Sequence, residues 1–194
     1  PLVLSKYIQF DSLETIRSTQ LNLKMSLKAG DTFPSTEFNY IPYTPENSDV
    51  VACGIPISYD TAKEFPNKKV VIVAVPGAFT PTCTANHIPP FISNASQIKA
   101  KGVDDIIVIS ANDPFVQAAW GKALGATNEV IFASDGNAAF SSSIGRSLDL
   151  AKIGFGTRTA RYAIIVDHNK VTYIEQEPGS DVTVSGLDAV LAHL

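Results

Sequence analysis

The sequence predicts an α/β domain with a central mixed sheet flanked by helices, on three observations. Val70–Val75 and Ile106–Ser110 are continuous apolar runs of the kind shown by parallel strands covered on both faces. Helical stretches alternate with such runs along the chain. Two late segments, Arg161–Asp167 and Val171–Glu175, flank Asp167-His168-Asn169-Lys170 and read as an antiparallel hairpin.

In chain order, Phe38–Ile41 and Val50–Ile57 are short apolar pieces separated by Pro42, Pro45, Asn47 and Ser48, and read as two edge strands around a loop, with Cys53 in the second. Val70–Val75 is the expected central strand. Thr84–Lys101 is the expected helix carrying Cys83 near its start, bent around Pro89-Pro90 because proline removes helix hydrogen bonds. Ile106–Ser110 follows, and then Asn112 or Asp113 caps a helix with Pro114 at its first position. This helix runs to about Leu124 with Phe115, Ala118, Ala119 and Leu124 inward. Val130–Ala133 reads as a strand, Asp135–Ile144 as a helix stopped by Gly145, and Gly186–His193 as the closing helix.

A length of 194 residues suits one domain with a full core. The net charge of −4 gives no electrostatic footprint for nucleic acid or an anionic membrane surface, so neither partner is expected. Val70–Val75, the longest apolar candidate, falls far short of the roughly 18 residues that a membrane span needs, which predicts a soluble protein. Two cysteines are too few for a disulfide scaffold and fit a reducing compartment, where such a pair is more often catalytic or redox-active.

Cys83 is the residue on which a chemistry can be built. It follows a buried strand where a loop turns into a helix, and the free N–H groups and dipole of a helix start stabilise a thiolate, the nucleophilic form of the thiol. Taken alone, a cysteine after a buried strand is more often an inert small hydrophobe. His87 lies one helical turn on. A cysteine-histidine hydrolase would also need an orienting group and an oxyanion site, and zinc would need four ligands, none of which the spacing assembles. No Cys-x-x-Cys is present, which argues against a thiol-disulfide oxidoreductase.

The spacing Pro76-x3-Thr80-x2-Cys83, extended to His87-Ile88-Pro89, resembles the active-site signature of the peroxiredoxins, in particular the type II branch and its fungal alkyl hydroperoxide reductase and peroxisomal-membrane-protein group. Ala52-Cys53-Gly54-Ile55-Pro56, Ala111-Asn112-Asp113-Pro114-Phe115 with Trp120-Gly121, and Thr159-Ala160-Arg161-Tyr162 extend the resemblance over residues 26–194. It implies a thioredoxin-like fold and a thiol peroxidase that reduces hydrogen peroxide and alkyl hydroperoxides without metal, haem or flavin. Cys83 would become a sulfenic acid, Thr80 would bond peroxide and thiolate, Arg161 would hold both by its permanent charge, and Pro76 would shield the site. Backbone N–H groups of Thr82 and Cys83 would complete it. Spacing alone does not separate Arg161 from Arg158; the position of Arg161 at the head of the strand, as in the family, favours it. His87 is read through the resemblance as support for the active-site helix.

The same resemblance implies that Cys53 resolves the sulfenic acid by a disulfide with Cys83 of a neighbouring subunit, because the late cysteine of other type II members is replaced by Val182-Thr183-Val184-Ser185. The competing state is a one-cysteine enzyme. Thioredoxin is the implied reductant and a homodimer the implied assembly, with Asp113-Pro114-Phe115 and Trp120 at the subunit contact. Met25-Ser26-Leu27-Lys28 reads like a natural start of the family, which makes residues 1–25 an upstream or disordered extension and 26–194 the domain. Cytoplasm is the expected location, and Ala192-His193-Leu194 fits the loose small-basic-leucine pattern of a peroxisomal address. The rival reading is a redox-regulated binding or chaperone protein with incidental turnover.

Overall fold

The computed structural model describes residues 26–194, so the extension expected over 1–25 lies outside the described residues. The elements are β1 (Glu37–Tyr40), β2 (Ile57–Asp60), α1 (Thr61–Glu64), β3 (Lys69–Ala74), α2 (Ile88–Ser93), α3 (Ala95–Lys99), β4 (Asp105–Ser110), α4 (Pro114–Ala123), β5 (Ile131–Ser134), α5 (Ala139–Ser143), β6 (Ser147–Leu150), β7 (Gly156–Thr159), β8 (Tyr162–Asp167), β9 (Lys170–Gln176) and α6 (Leu187–Ala192). Seven strands form one sheet in the order β2-β1-β5-β4-β3-β8-β9. The parallel centre β3-β4-β5 carries antiparallel β8 on one side and antiparallel β1 on the other, which is the mixed sheet that the sequence predicts.

The apolar runs are continuous because both faces of the sheet are covered. Val71, Val73, Ile106 and Val108 point into one buried layer with Phe91, Ile98, Trp120 and Cys83. Val70, Ile72, Ile107 and Ile109 point into the other with Phe33, Phe38, Phe65 and Phe140. Each fully buried aliphatic side chain contributes about 1.5–3 kcal/mol, so these central strands form a rigid floor for the loop that follows β3.

Local chemistry revises several expected elements. Val50–Ile55 is no strand: an Asp49 turn, the close passage of Gly54 and then Pro56 keep it irregular, and regular pairing starts only at Ile57. Cys53 therefore stands in an exposed loop. β1 is internal, between β2 and β5, rather than an edge. The helix expected over Thr84–Lys101 is broken at Asn94 (φ −112°, ψ 18°), with Pro89 and Pro90 in the first turn of α2, where a missing N–H is tolerated. Ahead of them, Cys83–His87 forms a wide π turn in which the Ile88 N–H reaches back to the Cys83 carbonyl.

Asp113 caps α4 by accepting from the N–H groups of Phe115 and Val116. Phe115, expected inward, is 48% exposed, while Gln117, Ala118, Trp120 and Gly121 take the buried stripe. The segment 135–144 is a short 3₁₀ turn, Gly136–Ala138, in which Asn137 and Ala138 take positive φ, followed directly by α5. The late hairpin turns through His168 (φ 48°) and Asn169 (φ 65°), the paired left-handed conformation of a type I′ turn. The separate β6-β7 hairpin has no counterpart in the sequence reading.

Candidate active site

The loop after β3 is held from three directions. The Thr159 hydroxyl donates to the Val75 carbonyl. Arg158 Nη1 lies 3.5 Å from the Pro76 carbonyl and 3.4 Å from Asn112 Oδ1. Asn112 Oδ1 also accepts from the Ala78 N–H at 2.9 Å and from the Ser110 hydroxyl at 3.0 Å. Asn112 is thus a loop anchor, and the capping role belongs to Asp113. Thr80 donates its hydroxyl to the Gly77 carbonyl at 2.8 Å and accepts the Thr84 N–H at its own carbonyl at 2.9 Å, closing the turn that delivers Cys83.

Cys83 is 1% exposed and carries no disulfide. Arg161, 9% exposed, enters from the turn before β8 and directs Nη2 at Cys83 Sγ across 3.4 Å. Its Nη1 lies 3.0 Å from His87 Nδ1. A guanidinium has only donors, so Nδ1 accepts and the imidazole proton sits on Nε2, which donates to the Ser185 carbonyl at 2.8 Å. Burial pushes the His87 imidazole down to about 4; the Ser185 bond opposes this and the Arg161 charge reinforces it. A neutral histidine can accept from arginine, whereas a protonated one would set two cations face to face.

Behind His87 the chain closes on itself. Glu177 Oε1 accepts from the Ser185 N–H and hydroxyl and from the Thr183 N–H, each at 2.7 Å, and Oε2 accepts from the Thr183 hydroxyl at 2.7 Å. The Glu177 N–H in turn donates to the Arg161 carbonyl at 2.9 Å. Burial alone would push the Glu177 carboxyl up, but the bonds from Thr183 and Ser185 hold it below the usual carboxylate range. Arg161, His87, Ser185 and Glu177 therefore form a closed ring of hydrogen bonds around one fixed guanidinium.

Of the five residues singled out from the sequence, Cys83 and Arg161 are in direct contact. Pro76 and Thr80 shape the loop ahead of the thiol, and the Thr80 hydroxyl is turned to Gly77 rather than to sulfur. Cys53 stands apart on the exposed β1-β2 loop, lining a cavity of about 310 Å³ with Phe79 and Phe115. Trp120, expected at a subunit contact, is fully buried and donates Nε1–H to Thr84 Oγ1 at 3.2 Å, tying α4 to the π turn. Ser185 and Glu177 were missed. No spacing rule links residues 87 and 185, which the fold alone brings together. Among the described residues there is no cluster of histidine, cysteine and acidic side chains fit to hold a metal.

A buried sulfur facing a fixed cation, on a sheet-and-helix scaffold, defines a thiol-based redox protein. Comparison with known proteins narrows this class. The family model described as Redoxin matches residues 28–191. A Lipomyces kononenkoae protein named "Putative peroxisomal peroxiredoxin" is 61% identical over 166 residues, spanning 84% of this chain and 99% of that protein. Peroxiredoxin Pen c 3 of Penicillium citrinum is 46% identical over 173 residues, covering 88% of this chain and 100% of its own length. The crystal structure of reduced Prx3 from Vibrio vulnificus in complex with hydrogen peroxide superimposes with a TM-score of 0.75 at 39% identity, covering 86% of this chain and 98% of that one. The chain belongs to the peroxiredoxin family, which bears out the resemblance carried by Pro76, Thr80 and Cys83 and the thioredoxin-like fold that it implies.

Proposed function

We propose that this chain works as a thiol peroxidase in which Cys83 attacks hydrogen peroxide or an alkyl hydroperoxide. The observation that carries the assignment is the Arg161 guanidinium, buried, fixed through His87 and aimed at the sulfur. The thiolate attacks the terminal peroxide oxygen: an S–O bond forms, the O–O bond breaks, and the departing oxygen takes a proton to leave as water or an alcohol. Cys83 is left as a sulfenic acid. Charge develops on the departing oxygen, so a donor set in place beforehand acts without reorganising, and Arg161 is that donor. The Thr80 proton is committed to Gly77, which leaves its lone pairs to accept from the peroxide O–H, and Pro76 covers the loop.

A sulfenic acid needs a second thiol. In our reading Cys53 of a neighbouring subunit supplies it: sulfur attacks sulfur, an S–S bond forms, the S–O bond breaks, and hydroxide leaves as water once protonated. A thioredoxin-type dithiol then returns two electrons and two protons. The intersubunit arrangement is supported by the exposure of Cys53 and by the apolar side chains around it, Val51, Ile55, Phe79 and Phe115, all of them exposed. These also make this face the site at which a homodimer would form. Partial import into peroxisomes is supported by the name of the Lipomyces relative. It is tested by removing Ala192-His193-Leu194 from a fluorescent fusion and watching for loss of punctate signal. A chaperone or binding role with incidental turnover is the weaker reading; the Arg161 guanidinium held against the thiol supports peroxide cleavage over it.

The test is peroxide consumption coupled to thioredoxin and its reductase for wild type, Cys83→Ser and Cys53→Ser, each also run on a non-reducing gel. Loss of turnover in Cys83→Ser, with a peroxide-induced dimer band that Cys53→Ser abolishes, supports the two-cysteine cycle. Wild-type turnover in Cys53→Ser assigns resolution to an external thiol. Inactivity of the wild type with every reductant overturns the peroxidase assignment.

A further inference from the structure

We propose that Lys122, in the last turn of α4, is a positioning residue for the resolving step, a latch on the loop that carries Cys53. The inference rests on the reading of Cys53 as the resolving thiol. Asp49–Ala52 is a tight turn: the Ala52 N–H donates to the Asp49 carbonyl at 3.0 Å and the Val51 N–H to the Asp49 side chain at 3.0 Å. Lys122 Nζ donates to both terminal carbonyls of that turn, Ala52 at 2.8 Å and Asp49 at 3.2 Å. Among the described residues the ammonium forms no salt bridge with a carboxylate, so its charge is directed at two backbone oxygens.

Little else holds this stretch. Val51 and Ile55 are 82% and 83% exposed, so apolar burial does not anchor the loop. One further restraint follows Cys53. A Cβ at Gly54 would fall 2.5 Å from Ile41 Cγ2, so the backbone lies directly against Ile41 there. Cys53 is pinned at 52 by a cation and at 54 by close approach, while its side chain stays exposed and lines the cavity shared with Phe79 of the active-site loop. The latch restricts the thiol to the face on which the oxidised Cys83 must be met. Without it the same thiol samples a wider volume and encounters the sulfenic acid less often, and well-oriented encounter is worth orders of magnitude in rate. The sulfenic acid then survives to meet a second peroxide, which forms another S–O bond, breaks its own O–O bond and leaves water and a sulfinic acid.

The experiment compares full-length wild type, Lys122→Met, Lys122→Arg and Cys53→Ser by rapid quench and mass spectrometry of the Cys83 sulfenic, disulfide and sulfinic forms, with hydrogen exchange over the 49–54 segment. In Lys122→Met the latch predicts sulfenic acid formation at the wild-type rate, disulfide formation slowed by about tenfold, more sulfinic acid at a fixed peroxide dose, and faster exchange confined to the loop. Lys122→Arg recovers most of the disulfide rate, since a guanidinium still offers donors to both carbonyls. Wild-type disulfide formation in Lys122→Met overturns the latch, as does equal slowing of both steps, which marks a general structural role. If Cys53→Ser turns over like wild type, the resolving reading itself fails and the latch falls with it; if Cys53→Ser blocks the disulfide while Lys122→Met does not, only the latch falls.

Discussion

Cys83 is 1% exposed, on a turn set directly above the central strands, and the guanidinium that reaches its sulfur is fixed through His87, Ser185 and Glu177. Cys53 is exposed on a loop whose apolar neighbours face outward and whose restraints are a lysine clip and one tight glycine. The contrast follows from what each thiol must do in the proposed cycle. Cleaving an O–O bond requires donors that do not move, and a ring of buried hydrogen bonds supplies them. Resolving a sulfenic acid on another subunit requires reach, which burial would remove.

The sharpest way to break this contrast is to remove the fixed donor. Arg161→Met should lower the second-order rate of peroxide reduction by about 10²–10³, the usual range for loss of a preorganised donor, while Cys53 remains as reactive toward an external disulfide reagent as in wild type. Stopped-flow peroxide reduction beside thiol labelling reads both.

Glu177→Gln loosens the ring without touching sulfur. It removes a charged acceptor of four hydrogen bonds and should lower stability by about 3 kcal/mol in urea unfolding. Peroxide reduction should fall less than in Arg161→Met, because the guanidinium is kept.

The same ring predicts a pH dependence. The His87 imidazole is held down to about 4 in the folded protein against an ordinary value of 6.5. Between these values the unfolded chain binds the extra proton, so stability rises with pH across that window and is lost as pH falls through it. The loss from His87 between pH 7 and pH 5 should be about 2 kcal/mol. His87→Gln, whose amide can still accept from Arg161 and donate to Ser185, should flatten this part of the curve in urea midpoints measured across pH. An unchanged slope would place the titration elsewhere.

At the other thiol, Gly54→Ala forces a methyl group against Ile41. It should slow disulfide formation several-fold while sulfenic acid formation stays at the wild-type rate. The smallest effect is a control far from both thiols. Asn169→Gly, at φ 65°, relieves a left-handed residue in the β8-β9 turn and should raise stability by about 0.5 kcal/mol with both thiol reactions unchanged.

What the sequence made legible follows the reach of each interaction. Val70–Val75 and Ile106–Ser110 are visible as strands because a sheet covered on both faces needs unbroken apolar runs, and Cys83 is visible because its motif is local. Val50–Ile55 misleads for the same reason: it has strand composition, but Asp49, Gly54 and Pro56 prevent pairing. The β6-β7 hairpin is invisible because Ser147–Leu150, although Leu148 and Leu150 alternate, is only four residues long, and its partner Gly156–Thr159 has no apolar side chain. The link from His87 to Ser185 is invisible because the two lie 98 positions apart and only the folded sheet brings the loop after β9 against the turn after β3; Glu177, bonded locally to Thr183 and Ser185, gains its place in the site only through that contact.

The wide turn at Cys83–His87 bears on how a sulfur so deeply enclosed can ever meet one outside. Pro89 and Pro90 have no N–H to return to the residues four places earlier, so this turn is tied to the body of α2 by fewer backbone bonds than a regular helical turn of the same length. Unwinding it would cost the His87 bonds to Arg161 and Ser185 and the Trp120 bond to Thr84, and would leave Ile88 and Phe91 seated in the core. In the proposed cycle the oxidised sulfur would reach a neighbouring thiol only by releasing this first coil, so freeing the sulfur and freeing the Arg161 guanidinium from His87 would be one event.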